Sequence, residues 1–228
     1  MPLPATYQEL LNGNARFREG MASETAEASA SASNKRQSNV ALVACSDSRL
    51  DPQAFTQAGP GDLFVVRNGG NIIPTQRPDT SGEVATLEYA VRILGVKHIV
   101  VCGHSDCDEM KALLDPEICA SLSYAPAWVR ESEEALAAVG LDLDPETKLD
   151  RLIEANVLLQ LDKLRNLEFI RAARDRGFEG AAALITGYGE DAVDSTESSG
   201  VDEILRKPIS REDLGRAIQR LLDRTASM

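Results

Sequence analysis

The chain has 228 residues, of which 43% are apolar, so it can bury a substantial core in one large domain or slightly more. Its formal net charge of −12 argues against a nucleic-acid surface and does not identify a small substrate. No segment has the length and apolar character of a membrane span, and residues 1–17 lack the basic and apolar regions of a signal peptide. The cytoplasm is therefore the expected location.

The predicted elements alternate between helices and strands. Residues 1–17 predict an amphipathic helix, and residues 21–34, rich in Ala, Ser and Glu, predict a loop or frayed helix after it. Three apolar runs predict buried strands at residues 40–44, 63–67 and 98–102. Between the last two strands, Ser81 is the expected N-cap of a helix and Gly95 its stop.

The second half of the chain is predicted to be mainly helical up to about residue 176. Helical structure is expected again after Pro116, and residues 145–176 keep apolar side chains at a spacing of three and four, which predicts one long helix. Strands that alternate with helices favour right-handed crossovers and a parallel sheet, so the fold class is α/β. In such folds, binding sites lie at the carboxyl ends of the strands.

Two groups of potential metal ligands follow two of these strands. Cys45, Asp47 and Arg49 come directly after the first strand, and His104 and Cys107 come directly after the third. Two thiolates and an imidazole are a zinc ligand set, and three protein ligands with one exchangeable position mark a catalytic site. Asp47 is the candidate for the exchangeable position. The alternatives are a core histidine at position 104 and a surface salt bridge between Asp47 and Arg49.

The remaining cysteines and the second histidine are expected to be packing residues. Cys102 lies within the third predicted strand and Cys119 on a helix or turn, and a reducing compartment suits the thiolate ligands. His98 lies at the start of the same strand, away from the motif loops, which favours a packing or surface role over a proton shuttle. Proton transfer would then depend on water and external buffer.

The pattern Cys-x-Asp-x-Arg followed by His-x-x-Cys resembles that of the β-class carbonic anhydrases, and the resemblance runs from about Tyr7 to about Leu167. Further stretches resemble the family, in the family's own order, at residues 10–17, 61–68, 87–91 and 154–160. The resemblance implies a parallel-sheet core with flanking helices and a Zn²⁺ cofactor held by Cys45, His104 and Cys107. It also implies a homodimer or a higher even oligomer, because the family builds its pocket at a dimer interface.

The activity that the resemblance implies is the reversible hydration of carbon dioxide to bicarbonate. Zinc can lower the pKa of its bound water from 15.7 to about 7 and so supplies hydroxide, although two thiolate ligands favour a mildly alkaline optimum. By resemblance, Asp47 orients the zinc-bound hydroxide and Arg49 holds Asp47 away from the metal. If this pair breaks, Asp47 becomes the fourth zinc ligand. The alternatives are a silent zinc-binding homologue with an assembly or signalling role and a hydrolase of a related small molecule such as carbon disulfide.

The resemblance also implies a substrate pocket. It places Gln37 as a hydrogen-bond donor, Phe64 as an apolar wall and Gly69 beside that wall, and the alternative for the glycine is a tight loop after a strand. The family has Gly after the second cysteine, where this chain has Asp108, followed by Glu109. We expect the carboxylate of Asp108 to face the pocket, where it repels bicarbonate and raises the pKa of zinc-bound water. The alternative is a solvent-facing side chain at a helix N-terminus.

After Leu167 the sequence resembles the last third of a response-regulator receiver domain. Thr186 matches the residue that ends the fourth strand in that family, and Lys207 and Pro208 match the pair that follows the fifth. The phosphate-accepting Asp of that family belongs to earlier strands, which this chain lacks. We therefore predict a zinc domain at residues 1–167 and a partial receiver-like tail at residues 168–228, docked on the core as a structural cap. A signalling role is the alternative for the tail.

Overall fold

The computed structural model describes residues 5–24, 38–56, 58–59, 61–75, 81–140, 142–174, 183–186 and 203–206. The chain divides into two compact units, Met1–Gln37 and Ser38–Met228. The described part of the first unit is one helix, α1 (Ala5–Glu24), with exposed apolar side chains at Leu10, Leu11 and Phe17. The predicted N-terminal helix is confirmed, and α1 continues into the segment predicted as a loop or frayed helix.

The second unit contains a parallel three-stranded sheet with the strand order β2-β1-β3. The strands are β1 (Val40–Cys45), β2 (Leu63–Asn68) and β3 (His98–Cys102), which confirms all three predicted strands. Leu42 and Val43 point to opposite faces of the central strand and are both fully buried, so β1 is covered on both sides. This burial explains why β1 is a continuous apolar run and not an alternating sequence.

The helix between β2 and β3 begins and ends where the sequence predicts. A short helix, α2 (Pro52–Thr56), follows β1, and α3 (Gly82–Arg92) connects β2 to β3. The hydroxyl of Ser81 accepts a hydrogen bond of 3.2 Å from the backbone N–H of Val84, which confirms Ser81 as the N-cap. Gly95 has a φ of +70°, a left-handed conformation that glycine adopts without strain, and it follows the last turn of α3.

Beyond β3, the described helices are α4 (Asp108–Leu114), α5 (Ala125–Val129), α6 (Pro145–Asn166) and α7 (Glu168–Arg174), with 3₁₀ helices at Pro116–Cys119 and Arg130–Ala138. Helical structure after Pro116 is therefore confirmed, although it comes in short pieces. Three of these helices pack on the same face of the sheet. Helix α6 packs on Val101 of β3 through Val157 and Leu161, and α3 and α7 pack on Val43 and Ile99.

The single long helix predicted over residues 145–176 is wrong in one respect, because the helix is interrupted at Leu167. The backbone of Leu167 is extended, with φ −65° and ψ 136°, and α7 begins at the next residue. The break lets Leu167, Phe169 and Ile170 enter the apolar cluster beneath α3. Burying one large apolar side chain contributes about 1.5–3 kcal/mol, whereas a lost backbone hydrogen bond costs about 0.5–1.5 kcal/mol, so packing outweighs helix continuity here.

Two short strands lie in the tail at the predicted positions. Strands β4 (Ala183–Thr186) and β5 (Glu203–Arg206) pair in parallel as a separate sheet, and β4 lies close to β3 and α6. Thr186 ends β4, and β5 ends directly before Lys207. The other residues after position 174 lie outside the described part of the chain. In that described part, none of the helices combines the length and the apolar character needed to cross a bilayer.

We expect Gly103→Ala to destabilise the sheet and its contact with α6. Gly103 follows β3 directly, and an added Cβ would lie 2.6 Å from Cγ2 of Val157, which is closer than packed atoms approach. Overpacking of this kind lowers the free energy of unfolding by about 1–3 kcal/mol. Gly82→Ala is the matched control, because nothing lies within 4 Å of a Cβ added there. Urea unfolding should separate the two variants, and equal midpoints would contradict the packing described for Gly103.

Candidate metal centre

Three predicted metal ligands converge at the carboxyl edge of the sheet. Cys45 is the last residue of β1, and His104 and Cys107 lie in the loop between the adjacent β3 and the start of α4. One ligand atom of each residue lies within 4.8 Å of the other two, and all three side chains are buried. Neighbouring parallel strands end at the same edge, which is why two motifs far apart in sequence meet here.

The imidazole of His104 is oriented so that one nitrogen is available to a cation. Nδ1 lies 3.0 Å from the backbone oxygen of Ser105, which makes Nδ1–H the donor and leaves the lone pair on Nε2. Nε2 is buried and has no hydrogen-bond partner. A buried imidazole nitrogen without a partner is costly, and a metal ion would satisfy it. The donor set therefore fits a metal ion.

The two thiols lie close enough to shift each other's pKa in opposite directions. A hydrogen bond from Cys107 lowers the pKa of the Cys45 thiol, and the backbone N–H of Gly70 donates to the same sulfur at 3.4 Å. The hydrogen bond with Cys45 in turn raises the pKa of the Cys107 thiol. A divalent cation would allow both sulfurs to ionise, because metal binding displaces the thiol protons.

Asp47 is held by Arg49 and stands apart from the cluster of ligand atoms. The guanidinium of Arg49 donates to both carboxylate oxygens, with Nε 3.0 Å from Oδ1 and Nη2 2.6 Å from Oδ2, and the backbone N–H of Arg49 also donates to Oδ1 at 2.8 Å. These hydrogen bonds hold the pKa of Asp47 well below its usual range. The three residues whose donor atoms lie within 4.8 Å of one another do not include Asp47. Ligation of a metal by Asp47 in another conformation stays a prediction.

Two residues that the sequence did not indicate position this pair. Arg67 on β2 donates to the backbone oxygens of Cys45 at 3.0 Å and of Asp47 at 2.7 Å, which fixes the chain between the two side chains. Asp106, in the loop of His104, accepts a hydrogen bond of 2.8 Å from Nη1 of Arg49. Arg49 thus joins the two motif loops. Only the strand register and the loop conformation reveal these contacts, so no local pattern could have found them.

Comparison with known proteins shows which family the chain belongs to. A carbonic anhydrase family model matches residues 40–185. A carbonic anhydrase from Pseudomonas aeruginosa is 37% identical over 175 residues, which cover 75% of this chain and 78% of that protein. One from Synechococcus elongatus is 34% identical over 203 residues, which cover 82% of this chain and 73% of that protein. The chain belongs to the carbonic anhydrase family.

Solved structures place the chain in the β class of carbonic anhydrases. The structure of the β-carbonic anhydrase CcaA matches with a TM-score of 0.72 at 33% identity and covers 78% of this chain and 82% of that one. Tetrameric β-carbonic anhydrases from Sordaria macrospora match with a TM-score of 0.68 at 27% identity, covering 79% of this chain and 92% of that one. The predicted α/β fold, with a parallel sheet and flanking helices, is confirmed.

The residues predicted to line the carbonic anhydrase pocket are only partly near the cluster. Gly69 follows β2, and its backbone oxygen accepts a hydrogen bond of 2.8 Å from Nε1 of Trp128. Phe64 pairs with Ala41 and packs on the cluster beneath α3, about 13 Å along the strand from the level of Cys45. Within one chain, Phe64 is therefore not a wall of this metal centre, because it lies near the other end of β2. Gln37 lies outside the described residues.

The pocket-facing position predicted for Asp108 is also corrected. Asp108 is the first residue of α4, its side chain is 74% exposed, and it forms an ion pair of 2.8 Å with Lys111 one turn later. The alternative, a solvent-facing side chain at a helix N-terminus, describes it correctly. An acidic side chain in the first turn interacts favourably with the helix dipole and gains a cation at the i+3 position, whereas the pocket would desolvate it.

The acidic side chain that does reach the ligands belongs to Glu109. Oε2 of Glu109 lies 3.3 Å from Sγ of Cys107 and 3.5 Å from Sγ of Cys45. Burial raises the pKa of this carboxyl group, and the negative charge of Cys45 adds to the effect. The sequence showed an acidic pair after the second cysteine, but the rotation of α4 decides which of the two faces the thiols, and neighbouring positions differ by about 100°.

We expect Asp108→Asn to leave the pH dependence of carbon dioxide hydration unchanged. The substitution removes a charge that is exposed and already paired with Lys111, so it should not alter the field at the thiols. Profiles of kcat/KM against pH for the two proteins should superimpose. A shift of the Asn variant toward acid would restore the interpretation that Asp108 faces the pocket.

Proposed function

We propose that this chain catalyses the reversible hydration of carbon dioxide to bicarbonate at a Zn²⁺ centre held by Cys45, His104 and Cys107. The observation that supports this most strongly is the convergence of the three donor atoms, with the Nε2 of His104 buried and free of hydrogen bonds. Membership of the carbonic anhydrase family supports the reaction, and the donor set supports the metal.

Two thiolates and one imidazole favour zinc over the hard cations magnesium and calcium, which take oxygen ligands. A zinc ion with one open coordination position lowers the pKa of water from 15.7 to about 7 and so supplies hydroxide at neutral pH. The chain provides three donors from one buried cluster, and a tetrahedral zinc ion held by them would keep a fourth position for a further ligand such as water.

The pair of Asp47 and Arg49 would orient the attacking oxygen. In our proposal, Asp47 accepts a hydrogen bond from the attacking oxygen and fixes its orientation toward the carbon of carbon dioxide. Arg49 keeps Asp47 from turning to the metal, since three of its N–H groups already hold the carboxylate. Arg67 and Asp106 keep the loop and the guanidinium in place.

Stopped-flow hydration of carbon dioxide by the purified chain, with and without added zinc, tests this proposal. We expect turnover that depends on zinc and is lost with a chelator. A chain that carries zinc but hydrates no carbon dioxide would contradict the proposal and favour a silent homologue. Hydrolysis of carbon disulfide without hydration of carbon dioxide would assign the site to that related substrate.

We propose that the chain assembles as a homodimer or a higher even oligomer. The matched Sordaria macrospora enzymes are described as tetrameric, and α1 carries exposed apolar side chains at Leu10, Leu11 and Phe17 that a second copy would cover. Light scattering at micromolar concentration should show an even number of chains. A fully active monomer would contradict the proposal.

We propose that the protein is located in the cytoplasm. The four cysteines are free and buried, and two of them are proposed thiolate ligands, which suits a reducing compartment. Cell fractionation that recovers the chain outside the cytoplasm would contradict this.

We propose that residues 168–228 form a partial receiver-like tail docked on the core. The closeness of β4 to β3 and α6 supports docking. The carbonic anhydrase match continues to residue 185 and so includes most of β4, which argues for a structural role. We expect no phosphoryl label from acetyl phosphate, and covalent labelling of the tail would instead support signalling.

A further inference from the structure

Glu109 brings a carboxylate to the two sulfur ligands, and no assigned role accounts for it. Its Oε2 lies 3.3 Å and 3.5 Å from the two sulfur atoms, and its side chain is half-buried. Within the part of the chain that the structure describes, no lysine or arginine forms an ion pair with it, in contrast to Asp108 and Lys111. The carboxylate therefore faces two thiols and no protein cation.

Gly69 makes the space that this side chain occupies. A Cβ added at Gly69 would lie 2.6 Å from Oε1 of Glu109 and 3.1 Å from its carboxyl carbon. A Cβ at Gly70 would come within 3.2 Å of the Cβ of Glu109. Any side chain at position 69 would have to displace the carboxylate, so the glycine and the glutamate form a matched pair.

The carboxylate of Glu109 accepts hydrogen bonds from both thiols, at distances that two ligands of one metal ion would also have. With zinc–sulfur bonds of about 2.3 Å and a zinc–oxygen bond of about 2.0–2.2 Å, tetrahedral angles place sulfur and oxygen ligands about 3.5 Å apart. Both observed distances fall close to that value. Glu109 is not among the three residues whose donor atoms all lie within 4.8 Å of one another, so a donor role would require a small change of its side chain on metal binding.

We propose that Glu109 is a fourth protein donor to the metal, in addition to Cys45, His104 and Cys107. This inference rests on the metal centre of the proposed function. A carboxylate donor would compete with water for the fourth position on the metal, so Glu109 would strengthen metal binding and slow turnover. Asp47, fixed by Arg49, then acts on the water and not as the closing ligand.

Cobalt binding to the full chain tests the assignment independently of activity. We expect Glu109→Gln to weaken Co²⁺ affinity about 10–100-fold in chelator competition and to change the visible d–d absorption of the bound ion. Glu117→Gln removes the same charge from an exposed site and should match the wild type. Equal affinity and an identical spectrum in Glu109→Gln would overturn the proposal. Weaker binding with an unchanged spectrum would also overturn it, since Glu109 would then act from outside the coordination sphere.

A double substitution tests the matched pair. Gly69→Ala should weaken Co²⁺ binding as Glu109→Gln does, because the new Cβ displaces the carboxylate. In the Glu109→Ala background the same change should cost no further affinity, since the clash is gone. A further loss of Co²⁺ affinity when Gly69→Ala is added to Glu109→Ala would contradict the pairing. This comparison holds even if Gly69→Ala alone fails to fold.

Hydration rates separate this inference from the proposed function. At saturating zinc, Glu109→Gln should hydrate carbon dioxide several-fold faster per bound metal than the wild type, while binding the metal more weakly. If neither protein is active, the proposed function fails, but the cobalt result still decides whether Glu109 is a ligand. If the variant is slower at full occupancy, Glu109 does not block the reacting position.

Discussion

Cys107→Ser is expected to abolish metal retention and to lower carbon dioxide hydration by about three orders of magnitude or more, because hydroxide at neutral pH depends on the metal. Serine has a similar size but is a poor ligand, since its hydroxyl does not ionise as the thiol does. Metal analysis after dialysis and stopped-flow hydration would measure both effects.

Cys102→Ser is the matched control for this prediction. Cys102 is also buried and is the last residue of β3, two positions before His104, yet it is not part of the ligand cluster. The control should keep its metal, with at most a loss of stability from the buried hydroxyl. One zinc per chain in Cys107→Ser would contradict the ligand assignment.

Asp47→Asn is expected to keep the metal and to lower hydration by about 10²–10³-fold, the range typical for loss of one preorganised hydrogen bond at a reacting oxygen. The amide cannot form the charged pair with Arg49, and it presents a donor where the attacking oxygen needs an acceptor. Asp142→Asn, at an exposed position, is the control and should be as active as the wild type.

The deficit of Asp47→Asn should not vary with pH between about 6 and 9. The pKa of Asp47 is depressed in the folded chain, so the pair contributes its stability above the unfolded pKa of about 3.9 and loses it only as pH falls through the lower folded pKa. Asp47 is thus ionised throughout this range. A deficit that disappears at one end of the range, or loss of zinc in the variant, would contradict the role given to Asp47.

The features that the sequence predicts correctly are set by local chemistry. The strands are continuous apolar runs, and Ser81 directly precedes the helix that it caps. The ligands follow two strands, which prove to be neighbours in a parallel sheet. Because the carboxyl ends of parallel strands lie at one edge of the sheet, the position of each motif after a strand was enough to predict that Cys45 meets His104 and Cys107.

The features that the sequence does not predict depend on geometry between elements. Leu167 continues the helical spacing, and only the cluster beneath α3 explains the break there. Phe64 is placed by the register of β2 against β1, which moves it away from the metal centre. Asp108 and Glu109 are chemically alike in sequence, and the rotation of α4 alone sends one to Lys111 and the other to the thiols.

The most direct test of this account is a zinc titration of the metal-free chain with carbon dioxide hydration measured at each step. We predict that the rate rises linearly and reaches a plateau at one zinc per chain, as three ligands from one chain require. Binding of one zinc per chain without any hydration, or full hydration before zinc is added, would contradict it.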